Sequence, residues 1–257
     1  MVLRIFMARH GFSEGNDNPE NYALRGDPNV ELMELGWQQA IRLGQFTGDY
    51  LEKHPSPDAN GPQLLTSTHM RTRQTSVGVI AGAGGAIKLE KVKASPFLTE
   101  QDFGIFSHLH SPQMRAEHYP LEAAFYEAAR DKSPYHAKPL LGESPADTQV
   151  RVSGLCGTLM RDYQQGQNDH FLVTHGVTLR TFAMAFLHID PYYYKDFRNP
   201  ENCSLYLIEE TGPRKYSFKQ IFNGETGQAV DIDLGKKLQM RKAWMPPLPA
   251  RFKNTIT

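Results

Sequence analysis

Two short, mostly apolar runs, residues 3–8 and 170–174, lead into Arg9-His10-Gly11 and His175-Gly176. Runs of this length fit strands buried on both faces, as in a parallel sheet. Ligands of open parallel sheets bind in the crevice at the carboxyl ends of the strands. Two histidines delivered there by different strands can lie side by side. The glycine after each histidine lets the backbone turn sharply and approach a ligand closely.

The rest of the chain alternates in the same way. Residues 36–53 predict an amphipathic helix, with Ala40, Leu43, Phe46 and Tyr50 on one face. Pro55, Pro57 and Gly61-Pro62 end it. A strand is expected at 63–66, a helix at 69–81, and a third strand over the alternating stretch from Ile87 to Val92. Ser144-Pro145 caps and opens a helix over 144–165. After His175-Gly176, Leu179, Phe182, Ala183 and Phe186 share a helical face, and two more strands are expected near 203–209 and 216–222. Residues 15–29 read as a loop, and 105–141 as irregular to helical. This alternation predicts an α/β fold of three layers, a mainly parallel central sheet with helices on both faces. With no repeat and no low-complexity linker, residues 1–257 form one domain, in which 105–141 is a cap or lid insertion.

The formal charge is zero, 28 Lys+Arg against 28 Asp+Glu, so no global field draws in nucleic acid or an anionic membrane. Anion binding must come from local clusters of cations. No apolar run approaches the ~20 residues that span a bilayer, and residues 1–7 lack the shape of a signal peptide. Cys156 and Cys203 make neither a disulfide framework nor a zinc site. They read as buried free thiols of a cytoplasmic protein. The ten histidines show no metal-helix spacing, so no metal or other cofactor is expected.

Arg9-His10-Gly11-Phe12-Ser13-Glu14-Gly15-Asn16 resembles the R-H-G-x-S-x-x-N signature of the histidine phosphatase superfamily, which includes phosphoglycerate mutases. Ser67 to Thr75, with Arg71, resembles that family's S-x-x-x-R-A-x-x-T segment. Leu98-Thr99-Glu100 to Gly104 resembles L-x-E-x-x-x-G. Gly142-Glu143-Ser144 with Asp147 and Arg151 resembles G-E-S-x-x-D-x-x-x-R, and Val173 to Arg180 resembles V-x-H-G-x-x-x-R. The five segments follow the family's order, and the fold the resemblance implies is phosphoglycerate mutase-like.

The resemblance also implies roles. His10 is the nucleophile, attacking phosphorus through a neutral ring nitrogen. Arg9 and Arg71 grip the non-bridging oxygens with guanidinium forks, and His175 hydrogen-bonds the same oxygens in the transition state. Ser13, Asn16 and Gly176 complete the phosphate-binding set. Glu100 protonates the leaving oxygen and then activates water, with Asp102 as the alternative acid. Glu143 and Ser144 are expected to build a helix start, and Arg151 and Arg180 to serve as structural ion-pair partners.

The glycolytic mutases' E-R-H-Y-G-x-L-x-G is replaced by Glu100-Gln101-Asp102-Phe103-Gly104-Ile105-Phe106, and their R-R-S-x-D-x-P-P stretch is missing. Ser13 and Gly176 depart from the phytase and acid-phosphatase branch, where arginine and aspartate stand. The resemblance therefore points to the broad-specificity intracellular phosphatases, acting on monoesters of small phosphorylated metabolites through a phosphohistidine. Asn199-Pro200-Glu201-Asn202-Cys203 is similar to a microbial and fungal subgroup of these. Mutase-type transfer and a non-catalytic phospho-ligand sensor are the alternatives. Substrate choice is expected in 105–141, with Phe106, Tyr119, Phe125, Tyr126 and Tyr135 beside His108, His110, Arg115, Arg130, His136 and Lys138. Residues 17–30 are expected to form the opposite wall.

Overall fold

The computed structural model describes residues 2–238 except Asn60 and His110. Its centre is a seven-stranded sheet in the order β3-β2-β4-β1-β5-β6-β7. The strands are β1 (Arg4–Arg9), β2 (Gln63–Thr66), β3 (Val92–Ala94), β4 (Asp169–Thr174), β5 (Leu205–Gly212), β6 (Lys215–Asn223) and β7 (Gln228–Asp233). The first four run parallel to one another. From β5 onward the sheet continues as an antiparallel meander.

The helices are α1 (Glu14–Asp17), α2 (Asn21–Arg25), α3 (Glu34–Lys53), α4 (Met70–Gly82), α5 (Pro112–His118), α6 (Pro120–Lys132), α7 (Pro145–Gln164), α8 (Gly176–Leu187) and α9 (Leu234–Lys237). Successive side chains of β1 point to opposite faces, which divides the core into two layers. Ile5 and Met7 pack with Val152, Leu155 and Leu159 of α7 and with Leu179, Phe182 and Ala183 of α8. Phe6 and Ala8 pack with Ala40 and Leu43 of α3 and with Val79 of α4. The expected helical faces on α3 and α8 are thus turned inward, and the architecture is the three-layer α/β arrangement the pattern implied. Ser144 accepts from the Asp147 amide to cap α7, and Asp147 accepts back from the Ser144 amide.

Three expectations change. The stretch from Ile87 to Val92 is mostly a turn of 3₁₀ helix (Leu89–Lys91), and the strand begins only at Val92. Ile87 is buried but Leu89 is 68% exposed, so the alternation there does not mark one buried face. Residues 15–29 are not a bare loop; they hold α1, α2 and a 3₁₀ turn, elements too short to show periodicity. β7 was not expected, because an edge strand with almost no buried residue carries no apolar pattern. Over the carboxyl end of the sheet, residues 103–137 form a separate small core around Phe106, Leu109, Ala123, Tyr126 and Ala137.

Candidate active site

The register of the parallel strands builds the site. Arg9 stands opposite Thr174, so His10 and His175 leave neighbouring strands at the same level. Their ring centroids are 5.2 Å apart. On the other side of β4, Thr66 stands opposite Val173, which brings Ser67 to the same crevice. Gly11 is required by packing: a Cβ there would lie 2.5 Å from the Gly36 carbonyl oxygen at the start of α3. A Cβ on Gly176 would collide with the Asn199 side chain.

His10 is buried, with Nδ1 2.8 Å from the Gly11 carbonyl oxygen. A carbonyl only accepts, so Nδ1 carries the proton and Nε2 of the neutral ring carries the lone pair. Burial, reinforced by Arg71 and Arg9, holds the His10 pKa well below its ordinary value of 6.5. His175 is fully buried, and burial and Arg71 likewise push its pKa far down. Arg71 Nη2 lies 3.2 Å from His175 Nδ1, and His175 Nε2 lies 2.9 Å from Ser67 Oγ. Because a guanidinium only donates, Nδ1 accepts and the His175 proton points at Ser67.

Arg71 is 2% exposed; its Nη1 donates to the Asp27 carbonyl at 2.7 Å and pairs with the Asp27 carboxylate at 2.8 Å. Arg9 donates from Nη1 to the Pro200 carbonyl at 2.7 Å, and burial lowers its pKa. Glu100 accepts from the amides of Val177 (3.4 Å) and Thr178 (3.3 Å) at the start of α8. The carboxylate and His175 are therefore tied to one helix end, whose amides and dipole favour an anion. Asp102 is exposed, and its Oδ1 accepts from the Gly104 amide at 2.8 Å.

One cavity of about 1320 Å³ is lined by Arg9, His10, Asn16, Arg71, Glu100 and Asp102, among others. His175 and Gly176 are not in its lining, but the His175 ring is next to that of His10, which is. Ser13 is fully buried; its hydroxyl and amide both reach Asn16 Oδ1 (3.1 Å each), which ties the start of α1. Asn202 donates to the His10 carbonyl at 2.8 Å and to Asn16 Oδ1 at 3.2 Å, so it ties the end of β1 to α1.

Glu143 pairs with Arg151 at 2.9 Å, and Arg151 also donates to the carbonyls of Phe97, Thr99 and Glu100, fastening the Glu100 loop to α7. Arg180 differs from its expected structural pairing. Among the described residues it forms no ion pair; its guanidinium lies 3.8 Å from the Tyr194 ring centroid. Of the expected specificity residues, Phe106, Arg115, Tyr126 and Arg130 line the cavity. Phe125 is instead 78% exposed, and Lys138 pairs with Asp147 at 3.0 Å. Tyr119, Tyr135, His108 and His136 are not in the lining. His110 lies outside the described residues. Pro19, Tyr22, Asp27 and Pro28 form the opposite wall.

Sequence reasoning missed His69, Tyr194, Lys195 and Arg198, which also line the cavity, and the pairing of Asp27 with Arg71. His69 stacks edge-on against His175 at 4.8 Å, and burial beside Arg71 lowers its pKa to about 4. Its position two residues before Arg71 was the available signal. Among the described residues, no cluster of three or more His, Cys, Asp or Glu side chains is arranged to hold a metal ion. None of their helices is long and apolar enough to cross a membrane.

The chain is 27% identical over 217 residues to phosphoglycerate mutase-like protein AT74 of Arabidopsis thaliana, covering 80% of this chain and 64% of that protein. It is 28% identical over 154 residues to broad-range acid phosphatase DET1 of Saccharomyces cerevisiae, covering 58% and 43%. The chain thus spans less than two thirds of either relative. Among solved structures, a mycobacterial glucosyl-3-phosphoglycerate phosphatase superposes with a TM-score of 0.62 at 20% identity, covering 91% of this chain and 96% of that one. An Escherichia coli putative alpha-ribazole-5'-P phosphatase gives 0.65 at 17% identity, covering 85% and 95%. The family profile described as histidine phosphatase superfamily (branch 1) matches residues 5–222, and the chain therefore belongs to that superfamily.

Proposed function

We propose that this chain hydrolyses phosphate monoesters of small organic molecules through a phosphohistidine on His10. The observation that carries the reading is the tautomer of His10. With Nδ1 donating to Gly11 and two guanidinium groups beside it, the ring is neutral and its Nε2 lone pair is available for attack. Arg9 and Arg71 then hold the non-bridging oxygens, so that positioning and electrostatics lower the barrier. An arriving phosphoryl group competes with the Asp27 carboxylate for Arg71.

His175 donates to a phosphoryl oxygen only with its proton on Nδ1. Ser67 permits that exchange, because a hydroxyl that accepts from Nε2 in the empty site can donate to it in the loaded one. Glu100 gives the leaving oxygen its proton and then takes one from water. It serves better than Asp102, which is exposed and occupied with the turn at Gly104. Residues 105–141 act as a lid on the cavity within a single domain. Names of relatives, among them a broad-range acid phosphatase and two small-molecule phosphatases, support hydrolysis. The two free cysteines support a cytoplasmic location.

The test is rapid mixing with a radiolabelled aryl phosphate, quenched in alkali because phosphohistidine is acid-labile. Label is expected on wild-type protein and absent from His10→Ala. Label that persists in His10→Ala overturns the assignment, and transfer to an added phosphoryl acceptor in preference to water indicates mutase chemistry instead.

A further inference from the structure

His69 and Asp27 line the cavity beside the cradle, held just out of reach of each other. His69 stands at the start of α4, two residues before Arg71, and Asp27 opens the 3₁₀ turn Asp27–Asn29 of the facing wall. His69 Nδ1 lies 3.8 Å from Asp27 Oδ2, beyond hydrogen-bond distance. That nitrogen is buried and, among the described residues, has no hydrogen-bond partner. A buried polar atom without a partner costs free energy that a small movement of its neighbour recovers.

Asp27 is the neighbour able to move. Its side chain is 31% exposed, and its Oδ1 meets Arg71 Nη1 at 2.8 Å without an aligned hydrogen bond. Arg71 has a second hold on the same residue, because Nη1 also donates to the Asp27 carbonyl at 2.7 Å. The carboxylate can therefore leave by side-chain rotation while the main chain keeps the guanidinium in place. An anion arriving on Arg71 supplies the cause, since it repels the carboxylate already there.

The same arrival changes the balance of charge around His69. In the empty site burial weighs most, Arg71 on α4 and Arg151 on α7 oppose protonation, and Asp27 favours it, which leaves the pKa at about 4. The His175 ring packs against His69, with His10 beyond it, and burial keeps both neutral. A dianion on Arg71 offsets the nearest cation, and Asp27 at hydrogen-bond distance adds a direct ion pair. Both changes raise the pKa of His69.

We propose that Asp27 and His69 are positioning residues that exchange partners when an oxyanion binds: the carboxylate passes from Arg71 to His69, and His69 takes one proton from solvent. The Asp27–Arg71 ion pair breaks, and two form, Arg71 with the anion and Asp27 with the His69 imidazolium. When the anion departs, the proton returns to solvent and Asp27 to Arg71. Asp27 is thereby a built-in competitor that helps inorganic phosphate leave after hydrolysis. That last role rests on the phosphatase reading; the exchange itself needs only an anion in the cradle.

Sulfate is the probe, a tetrahedral dianion that is not turned over and does not titrate near neutral pH. Calorimetry in buffers of different ionisation enthalpy counts the protons taken up with it. Wild-type protein is expected to take up about one proton per sulfate at pH 5.5, with affinity about tenfold higher there than at pH 7.5. Uptake should nearly vanish in His69→Gln and fall by about half or more in Asp27→Asn. Asp27→Asn should also bind sulfate about tenfold more tightly at pH 7.5, because Arg71 has lost its internal anion. A merely structural Asp27 gives the opposite sign. Uptake that persists in His69→Gln assigns the proton to His10 or His175 and overturns the exchange, as does weaker binding in Asp27→Asn. Sulfate that does not bind wild type rejects it too. A chain with His69-dependent uptake but no ester hydrolysis keeps the exchange and loses the phosphatase reading. An active chain whose uptake is indifferent to His69 does the reverse.

Discussion

The Gly11 carbonyl decides which nitrogen of His10 holds the proton, and burial, reinforced by Arg71 and Arg9, decides that the ring holds only one. At pH 6 a free imidazole is mostly protonated, yet His10 and His175 are expected to remain neutral. Nitrogen-15 spectra of histidine-labelled protein check this, and an imidazolium pattern for either residue contradicts it. Ser67 is expected to act through the His175 tautomer. Ser67→Ala should lower kcat by about 10–100-fold, roughly 1.4–2.8 kcal/mol of barrier, with Ser67→Thr restoring part of it. An unchanged kcat in Ser67→Ala removes the tautomer exchange from the mechanism. Glu100 should reveal itself through the leaving group. An alkyl phosphate needs a proton in the transition state and a nitrophenyl ester does not, and general-acid help is typically worth ~10²–10⁴-fold. Glu100→Gln should slow phosphorylation by alkyl esters while nitrophenyl phosphate still gives a burst. Equal losses for both ester types transfer the role to Asp102.

Strands β1 and β4 deliver the histidines only while their register holds, and a buried ion pair fixes it at the opposite end. Arg4 stands across from Asp169, bonding both carboxylate oxygens, and donates to the His54 carbonyl at 2.9 Å. Both side chains are buried, at 7% and 0% exposure. Removing one partner strands the other, a change that typically costs about 3–5 kcal/mol. Arg4→Met should lose about that in urea unfolding, and Arg4→Met/Asp169→Leu should recover part of it. Additive losses in the double variant count against the clamp. From sequence, Arg4 showed only as an interruption in an apolar run, because pairing across 165 positions has no local signature. The elements that bury a face, β1, β4, α3, α7 and α8, were legible from periodicity and capping. β7 was not, since its residues face water on both sides. In the site, Arg9, His10, Asn16, Arg71 and Glu100 were legible as motifs and share one cavity. The Asp27–Arg71 pair, the His69 stack and the Lys195–Arg198 rim were not, because each exists only once distant segments meet.

On the scale of the whole molecule, burying neutral histidines couples folding to pH. His10, His69, His170 and His175 all have pKa values lowered by burial, His69 to about 4. Unfolded, each titrates near the ordinary 6.5. Above that value both states are unprotonated and the groups contribute no pH dependence. Between 6.5 and the folded pKa the unfolded chain binds more protons, so stability falls as pH falls, by at most about 1.4 kcal/mol per pH unit for each group. Glu143 and Asp147, whose pKa values are lowered by Arg151 and by the Ser144 amide respectively, act the same way in a lower window. Their contribution is present above the unfolded carboxylate pKa and is lost as pH falls through the folded one. The urea midpoint is therefore expected to be flat from pH 8 to 7 and to drop steeply from pH 6.5 to 5, before the carboxylates titrate. His170 offers a clean control, since it is fully buried on β4 five residues before His175 and outside the cavity lining. His170→Leu should reduce the slope between pH 6.5 and 5 by about one proton's share while leaving stabilisation by added inorganic phosphate intact. Equal stability at pH 5.5 and 7.5 in wild-type protein means that the buried imidazoles are charged in the fold, and the neutral nucleophile falls with that result.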